Sequence, residues 1–133
     1  MTKDDITRYC LAKQGAFLDF PFGADFRVIK LKSQNSQARI FAQIFSLRGE
    51  DKATFNCDML MGEMYRNLYP GVVTRGYHCP PMLQPYFYTV PLSDGIEDEE
   101  LMRMADHAYS VVLRKLPKKY QRELEEYIKP GLR

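Results

Sequence analysis

Residues 38–47 read ARIFAQIFSL, and this stretch decides the fold. In an extended chain alternate residues point to opposite faces, and here both faces carry apolar side chains. The two sets are Ile40, Ala42 and Ile44 on one face, and Phe41, Phe45 and Leu47 on the other. A strand that is apolar on both faces belongs inside a sheet. We therefore predict a central strand here, with a buried helical segment as the alternative.

The chain on either side of this strand divides into helical patterns and short extended runs. We predict helices over residues 3–14, between 58 and 70, from 98 to 116 and after 117, and further strands over residues 17–22, 26–32, 51–56 and 86–92. The polar residues 33–37 join two strands as a hairpin tip that can project as a wing. Strands grouped with short connections predict an α+β fold of two layers, with helices packed on one face of an antiparallel sheet.

Helical spacing also predicts which side chains of each helix face the core. The predicted buried stripe of the second helix is Leu60, Met61, Met64, Tyr65 and Leu68. That of the third helix is Leu101, Met104, Ala105, Ala108, Val112, Leu113 and Leu116. In the last helix Tyr120, Leu124 and Ile128 face inward, and Lys119 with Glu123 and Arg122 with Glu126 stand at the i,i+4 spacing of helix ion pairs.

Length and charge limit the classes of function. At 133 residues, of which 45% are hydrophobic and 27% charged, the chain is expected to form a single domain over residues 1–133. It carries no membrane-length apolar run and begins with acidic residues instead of a signal sequence, so we expect a cytoplasmic protein. The net charge is +2 and the pI is near 8.4. A dedicated nucleic-acid domain usually has a pI above about 9. A nucleic-acid site would therefore need local clustering of cations.

The cysteines and histidines do not form a recognisable catalytic or metal-binding pattern. Cys10, Cys57 and Cys79 match neither a disulfide framework nor a zinc or redox spacing, so reduced thiols are expected. His78 adjoins Cys79, but neighbours on an extended chain point to opposite sides. His107 is expected to be exposed on its helix. We therefore predict a protein that is not an enzyme and has no cofactor and no metal.

Short motifs recur along nearly the entire chain. They are DFPFG at residues 19–23, RIFA at 39–42, NCD at 56–58, YPGV at 69–72, GYH at 76–78, TV at 89–90, DHAY at 106–109 and LPKK at 116–119. In this order and spacing they resemble the MmcQ/YjbR family of small bacterial proteins. The resemblance implies a two-layer fold of the CyaY-like or type-III-secretion-chaperone-like kind, and DNA binding through a double-wing arrangement.

The chain departs from this family pattern mainly in one irregular loop. Asn56 stands where the family usually has Lys, Pro80-Pro81 where it has Asn-Lys, and Tyr86-Phe87 where it has His-Trp, after an insertion at residues 82–85. These differences remove two basic groups and several polar groups from the loop.

Basic residues near the predicted hairpin are the candidate contacts to nucleic acid. Protein affinity for DNA comes largely from Lys and Arg contacts to phosphate, and a two-stranded ribbon can enter the major groove. The candidates are Arg27, Lys30, Lys32, Arg39, Lys118 and Lys119, with Arg75 as a further possibility. We predict weak, sequence-independent DNA binding by a basic β-hairpin wing, with Lys30, Lys32 and Arg39 as its main phosphate contacts. Ordinary surface charge at strand ends is the alternative.

The irregular loop over residues 76–88 provides the second hypothesis. Its aromatic residues would line a groove for a peptide or a small ligand, as in a chaperone-like binding module. The aromatic residues are Tyr77, Tyr86, Phe87 and Tyr88, and the second candidate site is Gly76, Tyr77, His78 and Tyr86. Packing under a long loop is the alternative. In either case we expect a monomer that does not bind membranes.

Overall fold

The sheet is antiparallel throughout, with the strand order β1-β2-β3-β4-β6-β5. The computed structural model describes residues 1–77 and 79–126. The strands are β1 (Ala16–Asp19), β2 (Arg27–Leu31), β3 (Arg39–Leu47), β4 (Glu50–Asn56), β5 (Thr74–Arg75) and β6 (Phe87–Pro91). The helices are α1 (Lys3–Leu11), α2 (Met59–Leu68), α3 (Asp98–Lys115) and α4 (Lys118–Glu126), and a 3-10 turn (Gln84–Tyr86) precedes β6. These helices pack on the sheet, which confirms the predicted α+β architecture.

The predicted central strand is β3, which lies between β2 and β4. Phe41, Ala42, Ile44 and Phe45 are all buried, so both faces of this strand are covered. This stretch is therefore a strand and not a helix, and apolar residues on both of its faces are buried, as predicted.

A β-bulge interrupts the alternation of β3. The pairing with β2 shifts register between Ile29 and Lys30, which leaves Phe41 as an extra residue on β3. Phe41 packs edge-on against Tyr109 of α3, with ring centroids 5.5 Å apart, whereas Phe45 contacts loop residues instead. The prediction that these two phenylalanines share a face is therefore wrong, because strict alternation does not hold across a bulge.

The longest helix, α3, covers one face of the sheet and is anchored to α1 by polar contacts. Tyr9 donates a hydrogen bond from its hydroxyl to Asp106 (2.8 Å), and Lys13 forms an ion pair with the same carboxylate. The hydroxyl of Tyr109 donates to the backbone carbonyl of Gln14 (2.6 Å). The predicted core residues of α3 that are buried are Leu101, Met104, Ala105, Ala108, Val112 and Leu116, while Leu113 is half-buried.

Aromatic residues from two loops pack against Phe45, on the face of β3 opposite to the one that Phe41 occupies. Phe26 stacks on Phe45 with centroids 4.9 Å apart, and Tyr77 stacks on it at 5.5 Å. Phe22 completes the group by an edge contact to Phe26 at 5.6 Å. We call these four residues the aromatic stack. Loop side chains thus bury the face of β3 that Phe45 occupies.

Helix α2 does not bury its predicted apolar stripe. Asp58 caps the helix as predicted, accepting a hydrogen bond from the Met61 backbone N–H (2.7 Å). Tyr65 is buried, but Leu60, Met64 and Leu68 are exposed, and Met61 is half-buried. Helical spacing identifies an apolar stripe without showing whether another element covers it. No element in the described part of the chain covers this stripe.

Helix α4 agrees only in part with its predicted packing. Leu124 is buried, Tyr120 is half-buried, and Ile128 lies outside the described residues. The Lys119 ammonium lies 4.8 Å from the ring centroid of Tyr120. Over residues 118–126, neither the Lys119–Glu123 nor the Arg122–Glu126 ion pair is formed.

We expect the substitution Phe45→Ala to lower the free energy of unfolding by about 3–5 kcal/mol, because it removes a buried ring and leaves a cavity. Phe45 is 2% exposed, whereas Phe22, in the same stack, is 70% exposed. The control substitution Phe22→Ala should therefore cost about 1 kcal/mol or less. Urea denaturation followed by circular dichroism measures both. Equal losses in the two variants would contradict the central position of Phe45.

Candidate nucleic-acid interface

The hairpin tip between β2 and β3 is held together by local hydrogen bonds, and Gln34 and Asn35 at its apex are exposed. Ser33 and Ser36 are both buried. The backbone N–H of each donates to the side-chain oxygen of the other, at 2.9 Å and 3.2 Å. The N–H of Lys32 donates to the carbonyl of Gly15 (3.0 Å), which ties the tip to the chain before β1. These contacts brace the base of the tip, and its role as a DNA-binding wing stays a prediction.

Two of the predicted hairpin cations are paired with carboxylates. The Lys30 ammonium lies 2.7 Å from Asp19, and this hydrogen bond is the main reason that the pKa of the Asp19 carboxyl is lowered. The Arg27 guanidinium lies 2.8 Å from Asp4 and also donates to the Thr7 hydroxyl (3.1 Å). A phosphate contact from Lys30 or Arg27 would have to replace these pairs.

Lys32 and Arg39 are exposed, and neither has a carboxylate within salt-bridge distance in residues 1–77 and 79–126. Lys32 lines a cleft of about 450 Å³ together with Glu123 and Leu124 of α4. The structure therefore brings the base of the hairpin next to α4, although the two segments are far apart in sequence.

The junction of α3 and α4 presents a group of five exposed cations. Residues 107–122 contain five cations and no Asp or Glu. Gln121 donates from its side-chain amide to the carbonyl of Leu116 (2.8 Å), which fixes α4 against the end of α3. All five cations are exposed and lack a carboxylate partner among the described residues. We call this group the basic corner: Arg114, Lys115, Lys118, Lys119 and Arg122.

Only Lys118 and Lys119 of the basic corner are among the sequence-predicted contacts. Arg114, Lys115 and Arg122 were missed because the prediction concentrated on the hairpin. The signal that would have identified them is the absence of carboxylates over residues 107–122, since neighbouring acids usually neutralise cations on helix surfaces.

The first two residues of the predicted loop site have structural roles. Gly76 is buried, and a Cβ atom there would lie 2.6 Å from the Phe87 Cβ and 2.9 Å from the Cys79 sulfur. Only glycine fits this position. Tyr77 stacks in the aromatic stack, and its backbone N–H donates to the Thr89 hydroxyl (3.0 Å). Gly76 and Tyr77 therefore hold the loop against the sheet.

The other aromatic residues of the loop lie in different environments. Tyr88 is fully buried and packs edge-on against Phe55 and Tyr65 in the core. Tyr86 is exposed, and His78 lies outside the described residues. Tyr86 lies in the 3-10 turn before β6, whereas Tyr88 lies within β6 and faces Phe55 and Tyr65.

Cys10 and Cys57 are buried and His107 is half-buried. Burial raises the pKa of Cys10 and of Cys57 to about 12, so both thiols stay protonated and are poor nucleophiles at neutral pH. His107 is half-buried, which corrects the expectation that it is exposed. Its Nε2 lies 3.7 Å from Asp58, but burial is the larger effect and lowers its pKa. Within residues 1–77 and 79–126, no group of acidic, His or Cys side chains could hold a metal ion.

These features define a small two-layer α+β domain with unpaired cations concentrated where two helices meet. The chain belongs to the YjbR family, whose model matches residues 11–111. No curated protein matches the chain. In the described part of the chain, no helix has the length and apolar character needed to cross a membrane.

Two solved structures share the fold. A Deinococcus radiodurans protein with a DUF419 domain is 24% identical, with a TM-score of 0.82 over 99% of this chain and 94% of its own. A Pseudomonas syringae protein is 15% identical, with a TM-score of 0.67 over 84% of this chain and 98% of its own. At these identities the similarity establishes the fold alone.

We expect His107 to make folding stability depend on pH. Its pKa in the folded protein is below the usual value of 6.5, so it stabilises the fold above about pH 6.5. That contribution is lost as the pH falls through the folded-state pKa. Urea denaturation at about pH 7.5 and about pH 5.5 should show a smaller loss of stability in His107→Gln than in the wild type. Equal losses would contradict the buried, neutral state of this imidazole.

Proposed function

We propose that the chain is a non-enzymatic protein that binds DNA weakly and without sequence preference. The phosphate contacts are the basic corner, joined by Lys32 and Arg39 on the neighbouring hairpin. The proposed contacts therefore lie mainly at a helix junction, with two more on the hairpin. The observation that carries this proposal is the set of five exposed, unpaired cations over residues 107–122.

The position of two lysines in α4 supports an anion-binding role. Lys118 and Lys119 begin the helix, and its first turn contains no acidic residue. The N-terminus of a helix carries a partial positive charge, so a cation there destabilises the helix by about 0.3–1 kcal/mol. The same end of the helix binds phosphate favourably. The two lysines are thus placed poorly for helix stability and well for phosphate binding.

The lack of sequence preference follows from the shape of the surface. Sequence is read by side chains that reach base edges in a groove, whereas phosphate contacts only position the protein. The hairpin contacts, Lys32 and Arg39, flank the tip, and the exposed apex residues Gln34 and Asn35 carry no cation. The remaining contacts are long Lys and Arg side chains on an exposed corner, which suit the DNA backbone.

Fluorescence anisotropy with a labelled duplex of about 20 base pairs tests the proposal. The triple variant Lys118→Gln/Lys119→Gln/Arg122→Gln should weaken binding and reduce the log-log salt slope by about 2.7, because each phosphate contact contributes about 0.9. The double variant Lys32→Gln/Arg39→Gln should reduce the slope by about 1.8 for the same reason.

A matched control removes the same charge from cations that are already paired. Arg8, Lys52 and Arg103 pair with Asp5, Glu50 and Glu100. The triple variant Arg8→Gln/Lys52→Gln/Arg103→Gln should keep the wild-type slope. An equal loss in this control would show that net charge alone matters. The absence of wild-type binding at low salt, with the protein folded, would reject DNA binding.

A further inference from the structure

Phe17 is an exposed aromatic residue that the proposed phosphate contacts do not use. It lies in β1, the strand at one edge of the sheet, and is 37% exposed. Its neighbour Ala16 is buried in the core, so Phe17 projects from the other face of the sheet. In the pairing of β1 with β2, Phe17 stands directly opposite Lys30, and the two side chains share that face.

Lys32 lies on the same face as Phe17. Its backbone N–H donates to the Gly15 carbonyl (3.0 Å), so the pairing of β1 with β2 continues one residue past the end of β2. Alternate residues of a strand share a face, which places Lys32 diagonal to Phe17, at roughly 7–8 Å. Lys30 is paired with Asp19, whereas Lys32 has no carboxylate within salt-bridge distance in residues 1–77 and 79–126. An exposed ring and an unpaired cation therefore stand side by side.

Phe17 and Lys32 also line one cleft of about 450 Å³ between the hairpin and α4. Small-molecule sites usually have volumes of roughly 300–1,000 Å³. Gly15 keeps the hairpin and α4 close together, since a Cβ atom there would lie 2.4 Å from the Leu124 side chain and 2.6 Å from the Lys32 carbonyl oxygen. The cleft is therefore large enough for a small ligand and is held by close backbone packing.

The charges of the cleft indicate what kind of ligand it would accept. Lys32 supplies an ammonium group from the hairpin, and Glu123 supplies a carboxylate from α4. Glu123 is half-buried, and its Oε1 has no hydrogen-bond partner among the described residues. A simple anion would suit Lys32 and be repelled by Glu123. A nucleotide offers a phosphate to the lysine, N–H groups of its base to the carboxylate, and a flat surface to the ring of Phe17.

We infer that this cleft binds one unpaired nucleotide of a single strand, with the base against Phe17 and a phosphate at Lys32. The site rests on the proposed function, because the basic corner would hold the neighbouring phosphates. Lys119 lies one turn before Glu123 in α4, on the same side of the helix. The bases of a duplex are paired and stacked on one another, so a duplex would use the cations alone. Stacking on an aromatic ring tolerates any base, which agrees with binding that has no sequence preference.

Fluorescence anisotropy with three labelled probes tests this site. The probes are an oligothymidylate of about 12 nucleotides, an abasic strand with the same number of phosphates, and the duplex of about 20 base pairs. At equal salt the wild type should bind the oligothymidylate at least about fivefold more tightly than the abasic strand. Phe17→Leu removes the ring and keeps an apolar side chain. It should abolish most of this difference and leave binding to the abasic strand and the duplex unchanged.

A matched control makes the same substitution at a ring outside the cleft. Phe22 is 70% exposed and packs edge-on against Phe26 in the aromatic stack. Phe22→Leu should keep the wild-type preference for the oligothymidylate, and circular dichroism checks that each variant is folded.

The three probes separate failure of the cleft from failure of the proposed function. Equal binding of the two single strands by the wild type would overturn the nucleotide site, even where the duplex binds with the expected salt slope. A preference that Phe22→Leu reduces as much as Phe17→Leu does would also overturn it. Phe17-dependent binding of the oligothymidylate without binding of the duplex would contradict the proposed function alone. A folded wild type that binds none of the probes at low salt would reject both.

Discussion

The burial of β3 on both faces is the constraint on which the rest of the structure depends. One face packs beneath α3 through Phe41, and the other packs beneath loop aromatics through Phe45. The bulge at Phe41 makes this possible, because it turns one large ring toward the helix. The loops that supply Phe26 and Tyr77 are therefore part of the core, and this explains why the loop predicted as a ligand site packs against the sheet.

The DHAY motif at residues 106–109 also helps to cover the sheet. Asp106 accepts a hydrogen bond from Tyr9 and pairs with Lys13, while Tyr109 donates to the backbone that leads into β1. These contacts fix α1 on α3, and α3 in turn covers the sheet. The DHAY motif thus holds the helical layer together. Its role in the fold rests on packing and hydrogen bonds, since Asp106 is occupied by Tyr9 of α1 and by Lys13, which follows that helix.

The cations of this protein lie in two environments that the net charge of +2 conceals. Carboxylates neutralise the cations near α1 and β1, where Asp4 and Asp19 pair with Arg27 and Lys30. Within residues 1–77 and 79–126, the cations at the corner between α3 and α4 have no such partners. Helix α2 exposes Leu60, Met64 and Leu68 together with Glu63. The small net charge therefore combines cations that are paired in one region with cations that are unpaired in another.

Periodicity and residues close in the chain were enough to predict the α+β class, the central strand, the cap at Asp58 and the buried face of α3. The sequence also predicted Lys118 and Lys119 as candidate phosphate contacts, and both are exposed. The pairing of Lys30 and Arg27 with carboxylates and the exposure of Leu60, Met64 and Leu68 became apparent only in the folded chain. Each of these outcomes depends on which distant segment lies alongside, and local pattern carries no information about that contact.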